Sequence, residues 1–157
     1  RFCTVTTRWA LTARAAALSV ALIAAGCSSS PPDYTPPAGS LIAGTAQVTV
    51  NGQDLGTTDT VQCSEAGPLM TITTGDPNNP QASGISALVA AADELEVKEV
   101  GIRDLGGFTG SFNAGLGGEA TVTMTGRTYT IDGTADGFET ANPSFRKSGT
   151  FEIKGAC

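Results

Sequence analysis

Three sets of residues in this chain have types and spacing that could do chemistry: a carboxylate cluster at Asp93, Glu94, Glu96 and Glu99, a glycine-dense stretch from Gly106 to Gly118, and the cysteines Cys27, Cys63 and Cys157. Histidine is absent. That removes the common general base of nucleophilic triads and the commonest metal ligand, so a Ser/His/Asp hydrolase and a His-bearing zinc site are excluded. Paired carboxylates can hydrolyse glycosides. Here, however, Asp93-Glu94 falls where a turn is expected, and regular strand alternation would put Glu96 and Glu99 on opposite faces. The cluster therefore reads as a solvated turn and strand face. Gly106-Gly107-Phe108-Thr109-Gly110 onward is dense enough in glycine to raise phosphate binding. It lacks the Gly-Lys-Ser/Thr ending of a P-loop and no helix pattern follows, so it reads as a hairpin with a weak strand. Asp76-Pro77-Asn78-Asn79 opens like a calcium loop but lacks the glycine and closing glutamate at the required spacing, and a Pro-bracketed turn accounts for it. Asn142-Pro143-Ser144 is no N-glycosylation acceptor, because proline holds the middle position. No catalytic residue, cofactor or metal ligand is assigned.

Cys27 carries the clearest signal. It ends an apolar run, Ala15 to Ala25 followed by Gly26, that begins after the basic Arg8 and Arg14, and Ser28-Ser29-Ser30-Pro31-Pro32 follows it. A basic flank, a short apolar core and a small-residue cleavage position have the layout of a secretory signal peptide. The cysteine just past the cut resembles a bacterial lipobox, with Ala24 in the position where leucine is usual. The resemblance implies thioether attachment of a diacylglyceryl group to Cys27, cleavage before it and acylation of the freed amine. The apolar run is 11 residues, against the roughly 20 a helix needs to cross the hydrocarbon core. It is an export signal rather than a span. Attached acyl chains anchor stably once there are two or more. The expectation is export and a lipid anchor on the extracytoplasmic face. Arg1 in place of Met points to a truncated or misassigned start.

Removing the signal at 1-26 leaves 131 of the 157 residues, the size of one domain. The tail at 27-40 is Ser/Pro-rich and without apolar periodicity, so the folded domain is expected at 41-157. Arg1, Arg8 and Arg14 leave with the signal, so six cations face fifteen carboxylates and the mature charge is −9. An acidic surface opposes nucleic acid and anionic headgroups, so membrane attachment must come from lipid. With Cys27 given to lipid, Cys63 and Cys157 form an even pair in an exported chain, and a bridge between them is the expectation. The alternative is two buried free thiols.

The body reads as β throughout. Gln47 to Val50 alternates polar and apolar, and Asn51-Gly52 is a tight hairpin turn, with Thr58 to Cys63 expected as the returning strand. Further strands are expected at Leu69–Thr74, Ile85–Ala90, Leu95–Ile102, Phe108–Asn113, Ala120–Thr125, Thr128–Thr134 and Thr150–Lys154. Ile85 to Leu95 is alanine-rich and open to a helical reading. The alternation of Ile85, Ala87 and Val89 with Ser86, Leu88 and Ala90 favours strand. Turns at short spacing with Val/Ile/Thr-rich segments give an all-β expectation: an antiparallel β-sandwich or partly open barrel of about seven to nine short strands. Phe108, Phe112, Phe138, Phe145, Phe151 and Tyr129 are the bulky residues of the body. They fill the core or, in the alternative, line a cavity for a lipid or glycolipid carrier.

Several motifs, individually weak, occur in a specific order: Gly26-Cys27-Ser28-Ser29, Val48-Thr49-Val50-Asn51-Gly52, Val61-Gln62-Cys63 and Val97-Lys98-Glu99-Val100-Gly101. Tyr129 to Gly137, Ala141-Asn142-Pro143 and the terminal Phe151-Glu152-Ile153 with Cys157 complete them. In that order they resemble the mycobacterial nineteen-kilodalton lipoprotein antigen family (the LpqH family). The resemblance implies an acylated cell-envelope protein without established enzymatic activity, recognised by host innate receptors through its lipidated N-terminus. It makes Cys27 the acylated residue and Cys63 with Cys157 the bridge. Membrane through the covalent lipid, host receptors and envelope lipids are the implied partners. The shorter, Pro-rich tail and Phe145-Arg146-Lys147 depart from the family pattern, so relatives' glycosylation or adhesion does not carry over.

Overall fold

The structure, a computed structural model, describes residues 35–76, 78–79 and 81–157. Ten strands fill the body. Strand β1 (Ala46–Val50) buries Ala46, Val48 and Val50. It turns at Asn51 and Gly52, whose φ values of 52° and 77° are the two left-handed positions such a hairpin demands. The returning strand is β2 (Gln53–Thr58), directly after the turn. This corrects the expectation of Thr58 to Cys63. Asp54 and Gly56 argue against strand by type, but Asp54 Oδ1 accepts from the Gly56 amide at 2.8 Å and a register shift between Gln47 and Thr49 absorbs the irregularity. Next come β3 (Gln62–Ala66), β4 (Leu69–Thr73), β5 (Gly84–Ala91) and β6 (Leu95–Leu105). After them lie β7 (Phe108–Asn113), β8 (Ala120–Thr125), β9 (Thr128–Glu139) and β10 (Asn142–Ala156). The Ile85 segment is strand, with Ile85, Ala87 and Val89 buried.

The strands form one antiparallel sheet in the order β2-β1-β10-β9-β7-β6-β5-β4-β3, with β8 added against β9. Long β9 serves two neighbours on one side: residues 128–133 pair with β8 and residues 136–139 with β7, while β10 runs along its other side. One face of this sheet is apolar. A sheet that must hide one face without a covering layer can do so by rolling over it, and this one does. Val48 and Val50 of β1 and Phe151 and Ile153 of β10 share a single core with Met70 and Ile72 of β4 and Ile85 of β5. Strands five or more places apart in the order therefore meet, and a Cβ added at Gly155 would lie 3.2 Å from Ile72 Cγ2. The architecture is the partly open barrel of the two alternatives, not a two-sheet sandwich.

The end of the domain where the chain enters is tied in as well. Thr128 is fully buried, and its hydroxyl accepts from the Leu41 amide at 2.8 Å. Ser40 Oγ donates to Thr125 O, and the Gly44 amide donates to Ala156 O, both at 2.8 Å. The entering segment thus packs on the β8–β9 turn and the end of β10.

Candidate functional site

Cys27, the residue read as acylated, lies outside the described residues, as do Pro77 and Pro80 around the Asp76 turn. That turn is closed by the Asn78 amide donating to Asp76 Oδ1 at 2.8 Å and the Asn79 amide to Asp76 O at 3.1 Å. Among the described residues no group of three or more His, Cys, Asp or Glu could hold a metal ion. No helix among them is long and apolar enough to cross a membrane.

Cys63 and Cys157 are joined in a disulfide with their Cα atoms 5.9 Å apart. Cys63 stands on β3, an edge strand exposed along its whole length. Cys157 follows β10, near the opposite end of the strand order, and packs against the core. The bridge is a clasp across the roll, fastening the β3–β4 edge to the strand that it faces. It sits at the end of the domain where residues 40–44 enter, since the Cys157 amide donates to Arg127 O at 3.0 Å beside the Gly126 turn.

The carboxylate cluster departs from the expected geometry. Leu88 pairs with Glu99 but Val89 pairs with Val97, so Lys98 is an extra residue in β6. Such a bulge breaks alternation. Val97 and Val100 both point inward, and Glu96 and Glu99, opposite Ala90 and Leu88, share the outer face instead of falling on opposite ones. Both are exposed, and Lys98 is ion-paired to Glu96. The glycine-dense stretch resolves into a turn at Gly106-Gly107 and an ordinary strand, β7, with Phe108 and Phe112 in the core. Phe108, Phe112, Tyr129 and Phe151 are all used in core packing. Phe138 is half-buried and Phe145 is 75% exposed.

Two charged clusters on β9 and β10 shift their carboxyls in opposite directions. Asp132 faces Glu152 across the strands. Partial burial, then the charge of Glu152 and a hydrogen bond to it, raise the Asp132 carboxyl above its ordinary 3.8, with Lys154 opposing. Glu139 is pulled below its ordinary 4.5 by the hydrogen bond and charge of Lys147, whose ammonium is 2.7 Å away. A raised folded-state value means the native state binds the proton more tightly than the unfolded chain does. Stability is then lost as pH rises from 3.8 through the raised value. Asp132→Asn is accordingly expected to stabilise the domain by about 0.5 kcal/mol at pH 7. The gain should vanish in thermal melts run at a pH below about 3.8. Equal melting differences at both pH values would refute the account.

Composition gave no sign of one further feature. The turns at Asn51, at Gly106-Gly107 and at Thr140 border a single groove of about 540 Å³, with Asp104, Glu139 and Lys147 on its walls. Nothing in the sequence marks it: the three turns meet because β1, β6 and β9 run in the same direction in the sheet.

A protein-family model described as Mycobacterium 19 kDa lipoprotein antigen matches residues 39–157. A protein named "Putative lipoprotein" from Mycobacterium indicus pranii is 36% identical over 146 residues, 92% of this chain and 96% of that protein. "Lipoprotein LpqH" of Mycobacterium bovis BCG is 35% identical over 112 residues, 71% of this chain and 68% of its own. "Lipoprotein LpqH" of Mycobacterium avium is 34% identical over 116 residues, 73% and 69% respectively.

Proposed function

We propose, starting from the fact that this chain belongs to the Mycobacterium 19 kDa lipoprotein antigen family, that it is a cell-envelope lipoprotein held on the extracytoplasmic face by acylated Cys27. Its role is that of a non-catalytic antigen whose lipidated N-terminus is read by host innate receptors. The observation that carries the reading is the apolar run ending in Gly26-Cys27, in a chain aligned over 92% of its length with a relative named as a lipoprotein. The charge of the mature chain adds support. At −9 it is repelled by anionic headgroups, so a covalent lipid is the economical means of attachment. The order of parts agrees as well. The segment that leads back to Cys27 reaches the domain at the β8–β9 turn, so the anchor would hold the domain by that end.

Mass spectrometry of the N-terminal peptide from native membranes is expected to find it beginning at Cys27 and carrying diacylglyceryl and acyl masses. Cys27→Ser should release the protein from the membrane fraction and abolish signalling in innate-receptor reporter cells. An unmodified peptide starting elsewhere would overturn the anchor, and full signalling by the released variant would overturn the receptor reading.

A further inference from the structure

The geometry points to a binding site for a neutral saccharide in the open mouth of the rolled sheet, at the end away from the entering tail. Three hairpin turns converge there, β1–β2, β6–β7 and β9–β10, and the groove between them holds about 540 Å³. That volume falls within the roughly 300–1,000 Å³ usual for small-ligand sites. Its walls carry Asn51, Asp104, Glu139, Thr140 and Lys147.

The turns are cross-tied. The Thr140 amide donates to Gly107 O at 2.8 Å, and the Thr140 and Thr109 hydroxyls are 3.0 Å apart. The Asp104 amide donates to Thr109 Oγ1, and the Thr150 amide to Asn51 Oδ1, each at 3.0 Å. Walls fixed before a ligand arrives lower the ordering cost of binding.

The chemistry of the walls selects the ligand class. Lys147 is committed to Glu139 at 2.7 Å, while Asp104 has no ion-pair partner among the described residues. The groove is therefore net negative and disfavours anions. With Asn51 Oδ1 occupied, its amide nitrogen remains as a donor. Thr140 gives and takes, and the two carboxylates accept. Such a mixture of planar acceptors and donors matches ligand hydroxyls, each of which also gives and takes. A second depression of about 380 Å³ shares Glu139 and Lys147 with the groove and is bordered by Phe145, Asn142 and Arg146. The Arg146 guanidinium offsets the charge of Asp104, so the two depressions together are neutral overall, as an uncharged ligand requires. The Phe145 ring is 75% exposed, a large apolar surface left in water. The C–H face of a pyranose would cover it while the sugar's hydroxyls reach the polar walls. Together the two depressions accommodate a short oligosaccharide. This site belongs to the domain and is independent of whether Cys27 is acylated.

Saturation-transfer NMR on the full chain with maltotriose, cellotriose and mannotriose tests it. Transfer to the C–H protons of at least one is expected, with a dissociation constant below about 5 mM. Phe145→Ala and Asp104→Asn should each weaken binding about fivefold or more, with melting temperatures near that of the parent showing that the fold is intact. Met124→Ala, at the tail end, should leave binding unchanged. The inference fails if none of the three sugars receives saturation, or if both groove variants bind like the parent. Binding confined to a sulfated trisaccharide would also overturn it, by assigning the groove to an anion.

Discussion

Cys157→Ser is expected to lower the melting temperature by roughly 8–20 °C, the equivalent of about 2–5 kcal/mol for a domain of this size. The bridge closes a loop with a sequence separation of 94, and in the chain-entropy picture constraining so long a loop in the unfolded state is worth about 4.5 kcal/mol. The native structure adds a second reason. Strand β3 is exposed throughout and pairs only with β4 in the sheet, so the bridge is the covalent tie that fastens it to the end of β10. Behind Cys63 its register partner Ile72 is fully buried and lies against Gly155 of β10. Loss of the clasp therefore loosens the contact by which the roll closes over its core. Calorimetric melts of the parent, the parent with reductant, and Cys63→Ser with Cys157→Ser should separate the parent from all the others. The double variant should match either single one, because one missing thiol already abolishes the bridge. A shift below about 3 °C would show that packing alone holds the roll closed.

The clasp was legible in the sequence because cysteine parity is independent of local geometry. So was the all-β class, because Val/Ile/Thr alternation in β1, β4 and β5 reports directly which face is buried. Other features depend on contacts between distant segments. The distal halves of β9 and β10 include Ala135-Asp136-Gly137 and Lys147-Ser148-Gly149, stretches that are poor in the β-branched and aromatic residues strands favour. They are strand because each strand is the other's partner in a continuous ladder from Thr128 against Ala156 to Phe138 against Arg146. The bulge at Lys98 was invisible for a related reason: nothing in Val97-Lys98-Glu99-Val100 marks an extra residue until β5 fixes which residues must face inward. A choice between sandwich and barrel depended on the roll itself, which is set by sheet twist and bulges rather than by any one segment. The groove likewise depends on distant contacts, since its walls come from turns about thirty to ninety residues apart in the chain.

Gly137→Ala is expected to destabilise the domain by about 3 kcal/mol or more, although it adds a single methyl group to a strand. Gly137 sits in β9 between Gly110 of β7 and Lys147 of β10. A Cβ there would lie 2.0 Å from Thr109 O and 2.4 Å from Gly110 Cα. Both are backbone atoms of a paired strand, so relief requires β7 to move rather than a side chain to turn. Gly101 provides the contrast. Its added Cβ would meet only Ser86 Oγ, at 2.8 Å, and that hydroxyl can rotate away, so Gly101→Ala should cost about 1 kcal/mol. Movement of β7 also reaches Phe138 and Glu139, which pair with Thr109 and Phe108, and Thr140 just beyond β9, and should raise amide hydrogen exchange at Phe138 to Thr140 before global unfolding. Urea titrations should place the Gly137→Ala midpoint well below that of Gly101→Ala. Equal midpoints for the two would mean that β7 and β9 are not held at the close approach described. The bare backbone contact at Gly110 and Gly137 would then be no reason for the glycines there.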